Sequence, residues 1–260
     1  EWFSSIGTEK SKGTKVFSLV GSVVNTGLVE VPMGVTLRQI IEEIGGGVQD
    51  GRSFKAVQTG GPSGGCIPAE YLDTPVEFDE LTRLGSMMGS GGMIVLDDST
   101  CMVNLARYYL GFLKDKACGK CTPCREGVAQ MLHILENITS GKGEEGDIER
   151  LKALAKLVGD TSLCALGGTA ANPVLSTIQY FRDEYEDHIN NGHCPAGECK
   201  GMFIYSIDKE ACTGCGLCKK KCPVEAVSGE KKKAHEIDQD ICTRCGVCFD
   251  VCPFGAVVKV

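Results

Sequence analysis

The sequence lacks the features that would place it in a membrane or send it across one. No run of about 18 or more apolar residues occurs in the 260-residue chain, so we predict no transmembrane helix. The first residues, Glu1 to Ser5, show no basic segment followed by an apolar one, so we predict no secretory signal. They also include no initiator methionine, and we expect the chain to be part of a longer, cytoplasmic protein.

Aromatic residues are also scarce, at 6% of the chain with a single tryptophan. The formal net charge of −7 argues against general affinity for nucleic acid. The charge is unevenly distributed, because residues 200–260 carry ten basic and eight acidic side chains whereas the rest of the chain is acidic. With 42% hydrophobic and 23% charged residues, the composition is that of a globular protein, and the length suits about two domains.

Cysteine is the abundant exception, with 16 residues. A small secreted protein could use so many cysteines as a disulfide scaffold, but this chain is large and shows no export signal. We therefore interpret the cysteines as metal ligands in a reducing cytosol, and the spacing of each group indicates its metal centre.

The pattern C-x2-C-x2-C-x3-C-P occurs twice near the C-terminus, with an offset of 30 residues. This spacing is typical of bacterial two-cluster ferredoxins, in which the fourth cysteine of each run binds the other cluster. One predicted ligand set is Cys212, Cys215, Cys218 and Cys252, and the other is Cys242, Cys245, Cys248 and Cys222. We expect each fourth cysteine to begin a short helix, with Pro223 or Pro253 in its first turn. Two zinc ribbons are the alternative, but ribbons separate their CxxC pairs.

A second kind of cysteine group lies upstream, where Cys118, Cys121 and Cys124 are again spaced by two residues. No fourth cysteine follows after three residues, and Cys164 is the candidate fourth ligand of a [4Fe–4S] cluster. Apolar residues at helical spacing follow the triad, so we expect it at a helix N-terminus, where the helix dipole favours an anionic cluster. A reactive thioredoxin-like CxxC pair is the alternative, although the flanking sequence is helical.

Four cysteines remain outside these groups. Cys194 and Cys199 could chelate one ion, and a Cys3His set suits zinc. The possible zinc ligands are Cys101, His188, Cys194 and Cys199, with His188 favoured over His193; free buried thiols are the alternative. Cys66 has no cysteine nearby, and we interpret it as a packed loop thiol.

The first hundred residues predict a small β-grasp domain. Val16 to Val24 and Leu28 to Val31 predict a hairpin with a turn at Asn25 to Gly27. Thr36 and Gln39 form a capping-box pattern before an apolar helical stripe that Gly45 can end. Further strands are predicted at Phe54 to Val57 and Met93 to Leu96.

The next ninety residues are helical in pattern and predict a four-helix bundle. The four amphipathic segments are Met102–Leu113, Arg125–Ile138, Ile148–Val158 and Ala171–Ile189. The fourth carries its apolar stripe continuously through Val174, Ile178, Phe181, Tyr185 and Ile189, so we predict one unbroken helix.

These motifs resemble a known family. The residues Cys118-Gly-Lys-Cys-Thr-Pro-Cys-Arg-Glu-Gly127, with Gly60-Gly-Pro-Ser-Gly-Gly65 upstream, resemble the flavin subunit of respiratory complex I. That group covers the 51 kDa-type subunits of NADH dehydrogenases, NAD-reducing hydrogenases and formate dehydrogenases. The C-terminal ferredoxin module is absent from the respiratory subunit and is similar to that of the beta subunit of soluble, electron-bifurcating [FeFe]-hydrogenases.

The resemblance implies an α+β multidomain chain. Residues 1–14 would be the remnant of a flavin domain, 15–97 a β-grasp domain of the SLBB (soluble-ligand-binding) type, and 98–190 a four-helix [4Fe–4S] domain. A hinge at 191–199, with the possible zinc site, would lead to a two-cluster ferredoxin domain at 200–260. The family's FMN- and NAD(P)-binding domain is missing, so the resemblance implies no catalytic side chain here. It implies as partners a thioredoxin-like [2Fe–2S] subunit and a hydrogenase or similar catalytic subunit.

Two hypotheses about function follow. The chain is either an electron relay with three [4Fe–4S] clusters, in a hydrogenase, an NADH dehydrogenase or an NAD-dependent formate dehydrogenase, or a non-enzymatic ligand-binding or assembly module with structural clusters. In a relay the cofactors carry the reaction, and soluble ferredoxin is a possible partner. Two lysine runs, Lys219 to Lys221 and Lys231 to Lys233, would then offset cluster charge or dock an acidic ferredoxin; a merely solvated loop is the alternative.

Overall fold

The computed structural model describes residues 1–260. The chain divides into two compact units, Glu1–Glu198 and Cys199–Val260. None of the helices combines the length with the apolar character that a membrane span requires.

The first unit begins with a five-stranded mixed sheet in the strand order β2-β1-β5-β3-β4. β1 is antiparallel to β2 and parallel to β5, and β3 is antiparallel to both β5 and β4. The strands are β1 (Thr14–Gly21), β2 (Gly27–Pro32), β3 (Phe54–Thr59), β4 (Gly65–Pro68) and β5 (Gly92–Asp97). In β1 the buried Phe17 and Leu19 alternate with exposed neighbours, which is the period of a strand with one buried face. The predicted β-grasp hairpin and the fold class are confirmed.

Short helical segments cover the buried face of this sheet. Gln39–Ile44 is wound as a π-helix that buries Ile40 and Ile41, and α1 spans Phe78–Arg83. The predicted capping box forms, because the Thr36 hydroxyl accepts from the Gln39 N–H at 3.2 Å while the Gln39 side chain accepts from the Thr36 N–H at 3.2 Å. Single 3-10 turns lie at Phe3–Ser5, Gln49–Gly51 and Ala69–Tyr71.

The remainder of the first unit is helical. Its helices are α2 (Met102–Lys116), α3 (Thr122–Thr139), α4 (Asp147–Thr161), α5 (Ala165–Thr169), α6 (Asn172–Tyr180) and α7 (Arg182–Asn190). α3 packs against α2 and α4, and α6 packs against α2 and β4. A small core of Ala56, Cys66, Leu96 and Met102 joins the sheet to the helices.

Two sequence predictions are wrong in this unit. The predicted helix Ala171–Ile189 is broken at Phe181, whose φ of −134° and ψ of 38° are not helical. The Phe181 ring packs on the core that joins sheet and helices, so the chain bends there although the apolar stripe continues. Cys66 lies in strand β4 and not in a loop, because Gly65–Pro68 pairs with the end of β3.

The second unit consists of two similar halves. The first half contributes β6 (Tyr205–Ile207), α8 (Leu217–Lys221) and β7 (Val227–Ser228), and the second contributes β8 (Glu236–Ile237), α9 (Val247–Asp250) and β9 (Val257–Lys259). β6 pairs with β9 and β7 with β8, both antiparallel, so each small sheet joins the two halves. The predicted helices after Cys222 and Cys252 are not formed. Each short helix instead carries the third cysteine of its run and ends before the fourth.

Candidate metal centres

The upstream cysteine group gathers at the start of α3. Cys121 is the N-cap of that helix, a proline stands in its first turn, and Cys124 is buried one turn in. Burial raises the pKa of the Cys124 thiol, and the negative charges of Cys121, Cys164 and Cys118 raise it further. These four thiols therefore share one neighbourhood, as the sequence predicts, although Cys164 lies forty residues beyond Cys124 and at the N-cap of α5.

The turn that carries Cys164 supplies polar groups to Cys121. The backbone N–H of Leu163 contributes most to lowering the pKa of the Cys121 thiol, and the Ser162 hydroxyl adds to this effect. The Ser162 Oγ is buried and has no nitrogen or oxygen partner. A buried hydroxyl without such a partner, next to a sulfur, is suited to donate to a thiolate or sulfide.

Gly167 lets this turn approach the triad closely. A Cβ at this position would lie 2.5 Å from the Ser162 Cβ and 3.3 Å from the Cys124 Cβ. A side chain would therefore force apart the two segments that carry the upstream thiols. Sequence reasoning missed both Ser162 and Gly167, because only the fold brings them beside the triad.

Two small cavities lie among the cysteines of the second unit. The first is lined by Cys212, Cys215, Cys218 and Cys252. The second is lined by Cys222, Cys242, Cys245 and Cys248. Each cavity thus takes three cysteines from one run and the fourth from the other, which is the crossed arrangement that the spacing predicts.

Backbone N–H groups surround the sulfurs of these cavities. Burial raises the pKa of Cys252, but hydrogen bonds from the N–H groups of residues 254–257 outweigh burial and leave this pKa below its usual value. Burial also raises the pKa of Cys218, and it raises the pKa of Cys248 to about 11. The cavities therefore combine buried sulfurs with N–H donors, which is the environment that an anionic cluster requires.

A further group has a different composition, with three cysteines and one histidine. The ligand atoms of Cys101, His188, Cys194 and Cys199 all lie within 4.8 Å of one another, and all four residues are buried. The His188 Nδ1 donates to the carbonyl of Glu184 at 2.6 Å, which leaves Nε2 to face Cys101 Sγ at 3.3 Å. His193 does not belong to this group.

Two carboxylates accept hydrogen bonds from the backbone at the start of α2, next to this group. Glu198 accepts from the Cys101 N–H at 2.8 Å, and Glu184 accepts from the Met102 N–H at 3.0 Å. Glu184 also forms an ion pair of 2.6 Å with Lys55 on β3. No sequence pattern points to these carboxylates, because their partners lie more than eighty residues away in the chain.

Cys66 is not a member of any of these cysteine groups. Its thiol donates to the Gln58 side chain at 2.9 Å, and burial raises its pKa far above the usual value. It is therefore a packed, unreactive thiol.

Comparisons with known proteins identify three regions. Residues 16–67 match the SLBB domain, residues 104–188 match the NADH-ubiquinone oxidoreductase-F iron-sulfur binding region, and residues 205–260 match a 4Fe-4S dicluster domain. The three matches are in the order that the sequence motifs predict.

Curated relatives and solved structures agree with these matches. The chain is 53% identical over 235 residues to the NADP-reducing hydrogenase subunit HndC of Solidesulfovibrio fructosivorans, which covers 90% of this chain and 48% of the relative. It is 45% identical over 194 residues to an F-type subunit of the NADH-quinone oxidoreductase of Rhizobium meliloti, covering 75% of this chain and 46% of the relative. An air-oxidized NAD+-reducing [NiFe]-hydrogenase matches with a TM-score of 0.66 and 31% identity, over 73% of this chain and 32% of that one.

The chain thus spans about half the length of the curated relatives that it matches. The SLBB match agrees with the predicted β-grasp domain, and the other two matches agree with the cysteine motifs. Over that span the chain is similar to the F-type subunits of NADH-quinone oxidoreductases and to the hydrogenase subunit HndC.

Proposed function

We propose that this chain is the iron–sulfur electron-relay portion of a multi-subunit NAD(P)H-linked oxidoreductase of the hydrogenase or NADH dehydrogenase type. The observation that carries the proposal is the pair of cavities in the second unit, each lined by four cysteines drawn from both repeats. Bound there and at the start of α3, [4Fe–4S] clusters would supply one-electron chemistry at three points of one chain.

The donor sets fit such clusters. Each has four cysteine sulfurs, and the buried Ser162 hydroxyl beside Cys121 and the N–H groups around Cys252 are donors placed next to sulfur. The residues that would hold the upstream cluster are Cys118, Cys121, Cys124 and Cys164, and the two cavity sets described above would hold the others. The chain's own residues fix these ligands, exclude water from the buried sulfurs and set the reduction potentials through hydrogen bonds and charge.

We propose zinc for the group of Cys101, His188, Cys194 and Cys199. Three sulfurs and one imidazole suit this borderline-soft ion, and Zn–S bonds of ~2.3 Å place tetrahedral sulfurs about 3.8 Å apart. The observed spread of at most 4.8 Å is close to that value. Burial lowers the pKa of His188, but its hydrogen bonds to Cys194 and to the Glu184 carbonyl outweigh burial and raise it, so zinc would compete with a proton for Nε2.

The wider context is also a proposal. We infer a cytoplasmic assembly in which FMN and NAD(P) bind a domain outside these 260 residues. In that assembly a thioredoxin-like [2Fe–2S] subunit and a catalytic subunit bind the 260-residue chain. The alignment with the hydrogenase subunit HndC is long enough to include part of residues 205–260, which supports a hydrogenase-type assembly. Electron bifurcation is proposed on the sequence resemblance alone. The proposed domain boundaries remain 1–14, 15–97, 98–190, 191–199 and 200–260, and each of the three family matches falls within one of these ranges.

The test is anaerobic preparation of the chain followed by metal analysis and electron paramagnetic resonance during a redox titration. Three cubane clusters predict about 12 iron and about 12 sulfide per chain, with three reversible one-electron signals. Colourless protein, or iron that stays redox-silent over the accessible range, would refute the relay and favour the ligand-binding or assembly module.

Serine variants test the ligand assignment within the same preparation. Cys252→Ser should remove the signal that Cys212→Ser removes, whereas Cys222→Ser should remove the signal that Cys242→Ser removes. The opposite pairing would show that each run binds its own cluster. For zinc, Cys194→Ser should lose about one zinc per chain and keep its iron; full zinc retention would exclude Cys194 as a ligand.

A further inference from the structure

Two lysine runs that are separate in the sequence meet in the second unit. Lys219, within α8, donates from Nζ to the Gly229 carbonyl at 3.1 Å, just before the second run begins. The Lys232 N–H donates to the Gly214 carbonyl at 3.0 Å. The two runs therefore form one surface, here called the lysine surface, which consists of Lys219, Lys220, Lys221, Lys231, Lys232 and Lys233.

The lysine surface lies against one of the two cavities. Gly214 stands between Cys212 and Cys215, and a Cβ on it would lie 2.4 Å from the backbone nitrogen of Lys233. The second run is therefore packed on the loop that carries two of the cavity's cysteines. The first run directly follows Cys218, the third cysteine of that cavity.

The charges of this surface are largely uncompensated. All six side chains are exposed, and among them only Lys233 pairs with a carboxylate, that of Glu230 at 2.7 Å. The six lysines are more than half of the ten basic residues in 200–260. Uncompensated charges at the surface attract a partner of opposite charge and raise its rate of association, and this attraction falls with ionic strength.

The internal repeat shows that the fold does not require these lysines. With the 30-residue offset, Lys219, Lys220 and Lys221 correspond to Phe249, Asp250 and Val251. α9 forms at the equivalent place in the second repeat without any lysine. The lysines at this place are therefore particular to the first repeat.

We propose that the lysine surface is the docking site for a small acidic electron-carrier protein, which it brings within electron-transfer distance of the Cys212, Cys215, Cys218 and Cys252 cavity. This inference rests on the proposed relay function. The partner must be acidic at the place where its own redox centre comes near its surface, because a cationic surface steers only an anionic face into contact.

The experiment uses the anaerobically prepared 260-residue chain and a small acidic ferredoxin as the probe. One variant replaces all six lysines by glutamine. A second variant, K219Q/K220Q/K221Q, removes only the first lysine run. Its matched control replaces the same number of exposed lysines in the first unit by glutamine, namely Lys114, Lys142 and Lys156. Equilibrium binding and the second-order rate of electron transfer are measured from low to high salt.

We expect the wild-type rate to fall steeply with salt and the six-lysine variant to be slower by about 10- to 100-fold at low salt and nearly salt-insensitive. The control should stay within twofold of the wild type, and K219Q/K220Q/K221Q should be intermediate. Iron content should be unchanged in all of them.

Three results would overturn the proposal: binding and rate unchanged in the six-lysine variant, an equal loss in the control, or tighter binding of a duplex RNA than of the ferredoxin at equal ionic strength. Binding does not require electron flow, so the two hypotheses fail separately. Lysine-dependent binding without any electron transfer would refute the relay and keep the docking surface, whereas transfer that ignores the lysines would refute the docking surface alone.

Discussion

The ion pair between Lys55 and Glu184 offers a sharp test of how the sheet is joined to the helices. Lys55 Nζ lies 2.6 Å from the Glu184 carboxylate and 2.6 Å from the Thr100 carbonyl. The two side chains are only 16% and 12% exposed. Lys55→Met would leave the Glu184 carboxylate buried with the Met102 N–H as its remaining hydrogen-bond donor.

The expected cost follows from this burial. Removing one partner of a buried ion pair costs about 3–5 kcal/mol, because the remaining charge is uncompensated. Since both groups keep some contact with water, we expect about 3 kcal/mol, at the lower end of that range. The double variant Lys55→Met/Glu184→Met should recover most of this loss, because it removes both charges and keeps the volume.

The assay is urea unfolding followed by circular dichroism, with the three proteins prepared side by side. The matched control is Arg83→Met, because Arg83 pairs with Glu80 at 2.8 Å on the surface with 60% and 36% of the side chains exposed. An exposed pair of this kind contributes about 1 kcal/mol or less. A Lys55→Met cost as small as that of the control, or no recovery in the double variant, would refute the reasoning.

Three further predictions concern single residues. Ser162→Ala should lower the midpoint potential of the upstream cluster by roughly 20–60 mV in a redox titration, since a hydrogen bond of about 0.5–1.5 kcal/mol that favours the reduced form is lost; an unchanged potential would exclude this donor. Gly167→Ala should cost about four iron per chain, because the new methyl group collides with Ser162; full iron content would show that the turn can yield. Burial raises the pKa of Asp97, but hydrogen bonds from Ser99 and Ser22 outweigh it and lower this pKa. Asp97 therefore stabilises the fold at pH values above the unfolded carboxyl pKa of ~3.9, and this stabilisation is lost as the pH falls through the lower pKa of the folded state. When the free energy of unfolding is measured against pH in acid, Asp97→Asn should weaken its dependence on pH. An unaltered pH profile would assign the dependence to other groups.

The sequence was sufficient to predict the helices and strands whose apolar residues recur at a regular spacing. β1 and helices α2, α3 and α4 follow from apolar residues at spacings of two or of three to four. β4 escaped prediction because its four residues follow a glycine-rich loop and end in Pro68, so they show no alternation. The break at Phe181 escaped because an apolar stripe does not reveal a change of backbone angle when the stripe continues on both sides.

For the candidate metal centres, too, one part could be predicted from the sequence and another could not. The cysteine sets could be proposed from spacing alone, since a thiolate loop around a cluster constrains neighbours in the chain. The groups that surround the ligands could not, because Lys55 reaches Glu184 and Glu198 reaches Cys101 only through tertiary packing. Such groups carry no local pattern, although they fix the ligands and their potentials.

The thirty-residue repeat shows why glycine is needed at position 214. Gly214 and Arg244 are equivalent by the offset, and both have positive φ, at 69° and 52°. The left-handed backbone therefore does not require glycine at this position, because Arg244 adopts it as well. What requires glycine at 214 is the Lys233 backbone, which leaves no room for a Cβ, whereas Arg244 extends its side chain to the Lys200 carbonyl. Glycine at this position of the cysteine loop is therefore required by the packing of the second lysine run and not by the left-handed backbone of the loop. Gly214→Ala should displace the second lysine run before it disturbs the cysteines.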